Sequence, residues 1–242
     1  MRTVCLLTPF LVLTSSLACG DGMVRDLPPA GQWSKYRMSE KWSDGTRHES
    51  MITIKRLPVT SEIVSGLTWL EVVFETPDDK TRSAFRFLTP EKSLASGDPL
   101  AEAVDVWARR GDGASTRLSV RDWANILPRL SLICTPKLAN DAGKVEFDEI
   151  EVRGEKFMCS QVRGAYSKTF RAETVSSDCV LSASTGVPFG VAHAAYRVRL
   201  IGGCDPDPTA ACNLTTGDVE FTAIDFGDDA AAVVDVTLDD SK

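Results

Sequence analysis

GQWSKYRMSEKWSDGTRHESMITI, residues 31 to 54, decides the fold class. Trp33, Tyr36 and Met38 mark one apolar run, and Met51, Ile52 and Ile54 mark a second. Between them Ser43-Asp44-Gly45-Thr46 is a short turn sequence, in which Gly supplies positive φ and Asp bonds a neighbouring backbone amide. Short runs of β-formers on either side of such a turn predict an antiparallel hairpin. The same punctuation continues outward: Thr68 to Phe74 is a third run and Ala84, Phe85 and Phe87 a fourth, with Pro77-Asp78-Asp79-Lys80 between them. Val104 to Ala108 adds a strand before the turn at 111 to 113, and VEFDEIEV opens a long meander from Val145. In KFMCSQVRG, SKTFRAETV, AAYRVRLIG and DVEFTAIDF about half the residues are apolar and half polar, so one face meets a core and the other water. Sequential strands are expected to pair as neighbours. Ser119 to Leu132 carries the one helical pattern, with Ser119 as N-cap and Val120, Trp123, Ile126 and Leu127 on one side, before Pro128 interrupts it. The expected fold is mainly β: a single curved antiparallel sheet, half-barrel or barrel-like, with one short helix around residues 119–127.

The N-terminus sets the expected address. Arg2 precedes an apolar run, Leu6 to Leu13, that is too short to span a hydrocarbon layer of about 30 Å. Ser16-Leu17-Ala18 offers small residues at the first and third positions of a signal-peptidase site. Residues 1–18 therefore read as a signal peptide, 19–31 as an N-terminus and flexible tether, and 32–242 as the β domain. Cleavage after Ala18 would expose Cys19, which resembles the lipid-carrying first residue of a bacterial lipoprotein. That resemblance implies membrane attachment through the N-terminal lipid. Gly20 rather than Asp at the next position then implies the outer membrane, facing the periplasm or the cell surface. The alternative is a soluble periplasmic or secreted protein.

Loss of Arg2 with the signal takes the formal charge from -7 to -8. With Arg109-Arg110 as the longest basic cluster, nucleic acid is not an expected partner. Cys134, Cys159, Cys179, Cys204 and Cys212 remain beside Cys19 as disulfide candidates in an oxidising compartment. Cys204 and Cys212 close a short loop with two prolines and are the preferred pair, while Cys134, Cys159 and Cys179 stay unassigned. Isolated His48 and His193 and the lack of a C-x-x-C pair argue against a metal site, and no cofactor is expected.

GQWSKYRM, GLTWLEVVFET, IEVRGEKFMCSQV, STGVPFGVAH and VEFTAIDFG, with a helix at mid-chain, are similar in order to uncharacterised bacterial envelope proteins related in pattern to the lipoprotein-carrier half-barrel proteins. The resemblance implies a curved antiparallel sheet closed on one side by helices, with an apolar concavity for acyl chains. It supplies no catalytic residues. GVPFG is the sharpest motif of the mature chain. Pro188 fixes φ, Gly186 and Gly190 permit unusual backbone, and the stretch with Phe189 either lines a pocket mouth or turns one strand into the next.

Catalytic signatures are missing. G-x-S-x-G is absent, and Asp205-Pro206-Asp207-Pro208-Thr209 carries the letters of a phosphoryl-transfer motif without the buried parallel strand that motif needs. Tryptophans at 33, 69, 107 and 123 are expected in the core, and Trp42 outside it beside its turn. The expectation is an exported, lipid-anchored, non-enzymatic envelope protein that binds a lipid or other apolar small molecule. A structural or interaction lipoprotein with a filled core is the alternative, and a secreted hydrolase is third.

Overall fold

The structure is a computed structural model that describes residues 23–58, 66–76, 82–96, 102–119, 121–122, 130, 139–140, 146–170, 173–202 and 213–236. Twelve strands form one antiparallel sheet: β1 (Trp33–Trp42), β2 (Arg47–Leu57), β3 (Leu67–Glu75), β4 (Arg82–Pro90), β5 (Asp105–Arg110), β6 (Thr116–Arg117), β7 (Ala139–Asn140), β8 (Phe147–Val152), β9 (Glu155–Phe170), β10 (Glu173–Ala183), β11 (Val191–Gly202) and β12 (Asn213–Gly227). The order is β6-β5-β4-β3-β2-β1-β12-β11-β10-β9-β7, with β8 paired to β9. The curved sheet is open, because β6 and β7 at its two ends do not pair.

The predicted first hairpin forms about Gly45, whose φ is +88°, and the Asp44 carboxylate accepts the Thr46 N–H at 2.9 Å. The Thr46 hydroxyl, and after it this N–H, hold the Asp44 carboxyl below its usual range. Sequential pairing runs from β1 to β6 and again from β9 to β12. The join between these two meanders is long-range: β1 pairs with β12 from Trp33–Gly227 to Trp42–Gly217, with a bulge between Lys35 and Tyr36.

Directly opposed residues share a face. Tyr36 is opposed by Ile52 and Ala223, and Ile52, Ile54, Val72, Phe87, Tyr196 and Phe221 extend the same buried layer. Residues outside the sheet complete it. Met23, Val24, Leu130 and Phe189 are all at most 5 % exposed in this core. The burial phase of β9 changes at Ser160, which pairs with both Phe147 and Ala183. Phe157 and Cys159 pack inward before that point, and Val162 and Tyr166 after it.

Several expectations change. The tether expected over 19–31 is packed from Met23 onward: Gly31 N–H donates to Arg56 O, and Arg56 Nη1 donates to Pro28 O at 2.6 Å. Met23 and Val24 are apolar and find room in the sheet's core. Of the helix expected over 119–127, only Arg121 and Asp122 are described as helical, and Ser119 Oγ caps the Asp122 N–H at 3.2 Å. A helix the sequence did not announce, α1 (Glu91–Ser96), follows β4 after Pro90. Trp42 does not stand clear of the core but packs against it, over Gly217. No helix among the described residues is long and apolar enough to cross a membrane.

Candidate functional site

An open cleft of about 770 Å³ lies where the N-terminal segment meets the GVPFG turn and the end of β12. Its walls include Arg25, Leu27, Arg153, Pro188, Phe189 and Phe226. Residues 188–190 form a 3-10 turn between β10 and β11, and Gly186, Pro188 and Phe189 line the cleft. Gly190 has φ of +78° and lies in the buried interior, where a Cβ would strike the Asp26 carboxylate. Side chains of β1 hold the turn: Ser34 Oγ donates to Pro188 O at 2.9 Å and Tyr36 Oη to Val191 O at 3.1 Å. The N–H groups of Arg25 and Asp26 both donate to Phe189 O.

Backbone strain converges on this cleft. Phe189 (φ 65°) and Arg153 (φ 56°) are the non-glycine residues with positive φ among the described residues, and both line it. A left-handed non-glycine residue costs about 1–3 kcal/mol. Phe189 is 1 % exposed, and burying a phenylalanine side chain contributes about 1.5–3 kcal/mol, so packing offsets its strain. Arg153 has no such offset. With Gly154 it forms the tight turn between β8 and β9, where Asn would be cheaper. Its contacts, Nε to Asp225 at 3.1 Å, Nη1 to Phe226 O at 2.8 Å and the guanidinium over the Phe226 ring at 5.7 Å, are exposed, and an exposed ion pair contributes only about 0.2–1 kcal/mol and an exposed cation–π contact about 0.5–1 kcal/mol. Arg25 Nη1 adds a buried donor with no partner among the described residues. The cleft therefore combines aromatic and aliphatic wall with an unsatisfied guanidinium donor, balanced by Asp26, Glu91 and Asp228.

The candidate cysteines divide. Cys19, Cys134, Cys204 and Cys212 lie outside the described residues, as do the five residues 205 to 209. Cys159 and Cys179 are both buried, but Cys179 is opposed by Gly164, five positions along β9 from Cys159. At the rise of an extended strand this is roughly 16 Å, far beyond disulfide reach. Burial, with Asp148 nearby, pushes the Cys159 thiol up, so it is a poor nucleophile.

A second open cleft of about 1120 Å³ is bordered by Arg47, Asp178, Arg197, Asp218 and Glu220. Asp178 pairs outward with Arg199 (2.7 Å) and Arg197 with Asp218 (3.5 Å), both exposed and solvated pairs. His193 meets Glu220 at 2.9 Å, the histidine–carboxylate contact a hydrolase would need, and Ser182 stands directly opposite His193 in the register. Ser182 is buried, and the hydrogen bond of His193 is to Glu220. Three or more potential metal ligands do not cluster anywhere among the described residues.

Comparison with known proteins found no matching family model and no matching curated protein. Among solved structures, the chain is similar to a candidate lipoprotein from Parabacteroides distasonis ATCC 8503, with TM-score 0.34 and 8% identity over 83% of this chain and 97% of that one. It is also similar to a DUF1329 family protein from Desulfovibrio piger ATCC 29098, with TM-score 0.28 and 10% identity over 83% of this chain and 86% of that one. Likeness at this level assigns neither family nor activity, and the functional reading rests on the chain's own residues.

Proposed function

We propose that this is an exported, non-enzymatic envelope protein, lipid-anchored at Cys19 in the outer membrane. In this reading a self-filled sheet presents the cleft beside the GVPFG turn to a small amphiphile with an anionic group. The observation that carries it is the convergence of Phe189, Arg153 and the unpartnered Arg25 Nη1 on one cleft. An apolar wall formed by Leu27 and Phe226 suits the body of such a ligand, and the guanidinium groups of Arg25 and Arg153 its charged end. Because Met23, Val24, Leu130 and Phe189 occupy the core side of the sheet, the acyl-chain concavity of the half-barrel resemblance is moved here from the sheet's centre to this rim. Five residues lie between Cys19 and Arg25, a reach of at most about 22 Å, so an anchored chain would hold the cleft close to the membrane surface.

Native mass spectrometry of protein purified from its own envelope tests the ligand. A bound anionic amphiphile that Arg25→Ala releases supports the reading, and ligand-free protein in both forms would leave the filled-core structural lipoprotein. Mass analysis of the mature N-terminus tests the anchor: a diacylglycerol thioether on Cys19 is expected, and retention of Met1 would overturn it.

A further inference from the structure

Residues 228–236 cross the face of β2–β5 that lies opposite the main core, forming no strand, and charged side chains of that face read their backbone. Glu71, which is 0 % exposed, accepts the Val233 N–H at 2.9 and 3.0 Å and the Val234 N–H at 2.9 Å. Lys55 Nζ donates to Glu71 at 2.9 Å and to Ala231 O at 2.7 Å. Arg86 Nη1 donates to Val234 O at 3.0 Å, and Arg109 Nη1 to Val233 O at 2.8 Å. Among side chains of this strap, Val234 is fully buried, clustered with Val73 and Ala84.

This is an expensive way to hold a segment permanently. Desolvating the Glu71 carboxylate and the Lys55 ammonium costs several kcal/mol per ion before pairing, on top of the apolar contacts that already seat the strap, while Arg86 and Arg109 are only partly desolvated. With the strap lifted, the exposed face would carry Lys55, Glu71, Arg86 and Arg109 beside an apolar surface of Leu57, Trp69, Val73, Ala84 and Leu88, the mixture of charged and apolar groups found in peptide-binding faces. The fit is also incomplete. Arg86 Nε and Arg109 Nε are buried with no partner among the described residues, although their Nη1 groups are engaged.

We propose that this face is a peptide-binding groove, occupied in cis by residues 230–236, and that its partner in trans is an extended acidic peptide segment. Such a peptide would place a β-branched residue where Val234 sits and offer a carboxylate to the two unused Nε–H groups. The main-chain contacts tolerate sequence change, so the requirement falls on the buried Val234, on Ala230, Val233 and Val236, which pack on the same face, and on Asp235, which pairs with Arg109 at 3.7 Å.

A fluorescein-labelled peptide of the sequence DDAAAVVDV, titrated with the full-length protein and read by anisotropy, tests the groove. Val234→Arg unseats the strap but leaves the groove's own residues intact. This variant should bind the probe about tenfold or more tighter than the parent, since a closed fraction no longer reduces the apparent affinity. Adding Glu71→Gln should abolish that gain. A Val234→Arg protein with the parent's circular dichroism and no gain in affinity would overturn the proposal. If that variant does not fold, hydrogen exchange of the parent decides. The Val233 and Val234 amides should exchange through a local opening faster than those of β3, and exchange only through global unfolding overturns the groove. Saturable dimerisation of the parent without any peptide binding would assign the groove to the strap of a second copy instead.

Discussion

At Phe189 a single residue serves both packing and site: its ring is buried in the core while its carbonyl receives two N–H groups of the N-terminal segment. Its sequence signal was the flanking Gly and Pro, which announce unusual backbone but not that the positive φ falls on the aromatic residue itself. Arg153 left no signal. Replacing Arg153 with Asn should change thermal stability by no more than about 1 kcal/mol, because Asn tolerates the left-handed region at lower cost and this offsets the loss of the exposed contacts to Asp225, Phe226 O and the Phe226 ring. The same change should weaken any cleft ligand, a combination that purely structural strain would not produce. Tyr36 gives a pH test. Burial pushes its phenol far above the ordinary value of 10.0, against a smaller opposing effect of the Ser34 hydroxyl. The folded-state pKa is raised, so this contribution to stability is complete below pH 10.0 and is lost as pH rises beyond it. Tyr36→Phe should cost about 1 kcal/mol at neutral pH through the lost bond to Val191 O, and should flatten the fall in stability above pH 10, measured by urea unfolding at several pH values.

At the scale of elements, β1 and β12 show how much a strand pair writes into sequence. WSKYRMSEKW carries Trp at both ends, and GDVEFTAIDFG carries Gly at both ends. Trp33 lies against Gly227 and Trp42 against Gly217, where a Cβ would meet each indole ring, so aromatic side chains cover the glycines. Ten residues oppose eleven, and the bulge at Lys35/Tyr36 absorbs the difference. The composition was visible in both segments, but sequence patterns report neighbours a few residues apart, and these partners are far apart in the chain. Gly217→Val should push Trp42 off the strand, costing about 1–3 kcal/mol and shifting tryptophan emission to longer wavelength. The hairpins, by contrast, were legible, because a turn and its two flanks lie within one short window. The phase change in β9 was not: it follows from an exchange of partner at Ser160, from β8 to β10.

For the whole molecule, the β1–β12 join makes one cooperative sheet of two meanders, and it closes a loop of most of the domain's length. Long-range pairing must pay its chain entropy before it gains contacts, so refolding should be slow, on the order of seconds, in stopped-flow fluorescence. A refolding time of a few milliseconds would show that the join is not part of the rate-limiting step. The strap acts at the same scale. It ties residues 230–236 to β2, β3, β4 and β5 at once through charged side chains whose strand positions, read alone, would be assigned to water. Turn residues and apolar alternation by themselves determined the β class, the antiparallel pairing and the hairpins, because those depend on φ preferences and on which side of a strand each residue faces. Only the tertiary structure decided which strands meet across the two meanders, which segments fill the core, and where Arg25, Arg153 and Phe189 converge. Each of those depends on contacts between residues distant in the chain, whose energies are set by burial and desolvation in the finished fold.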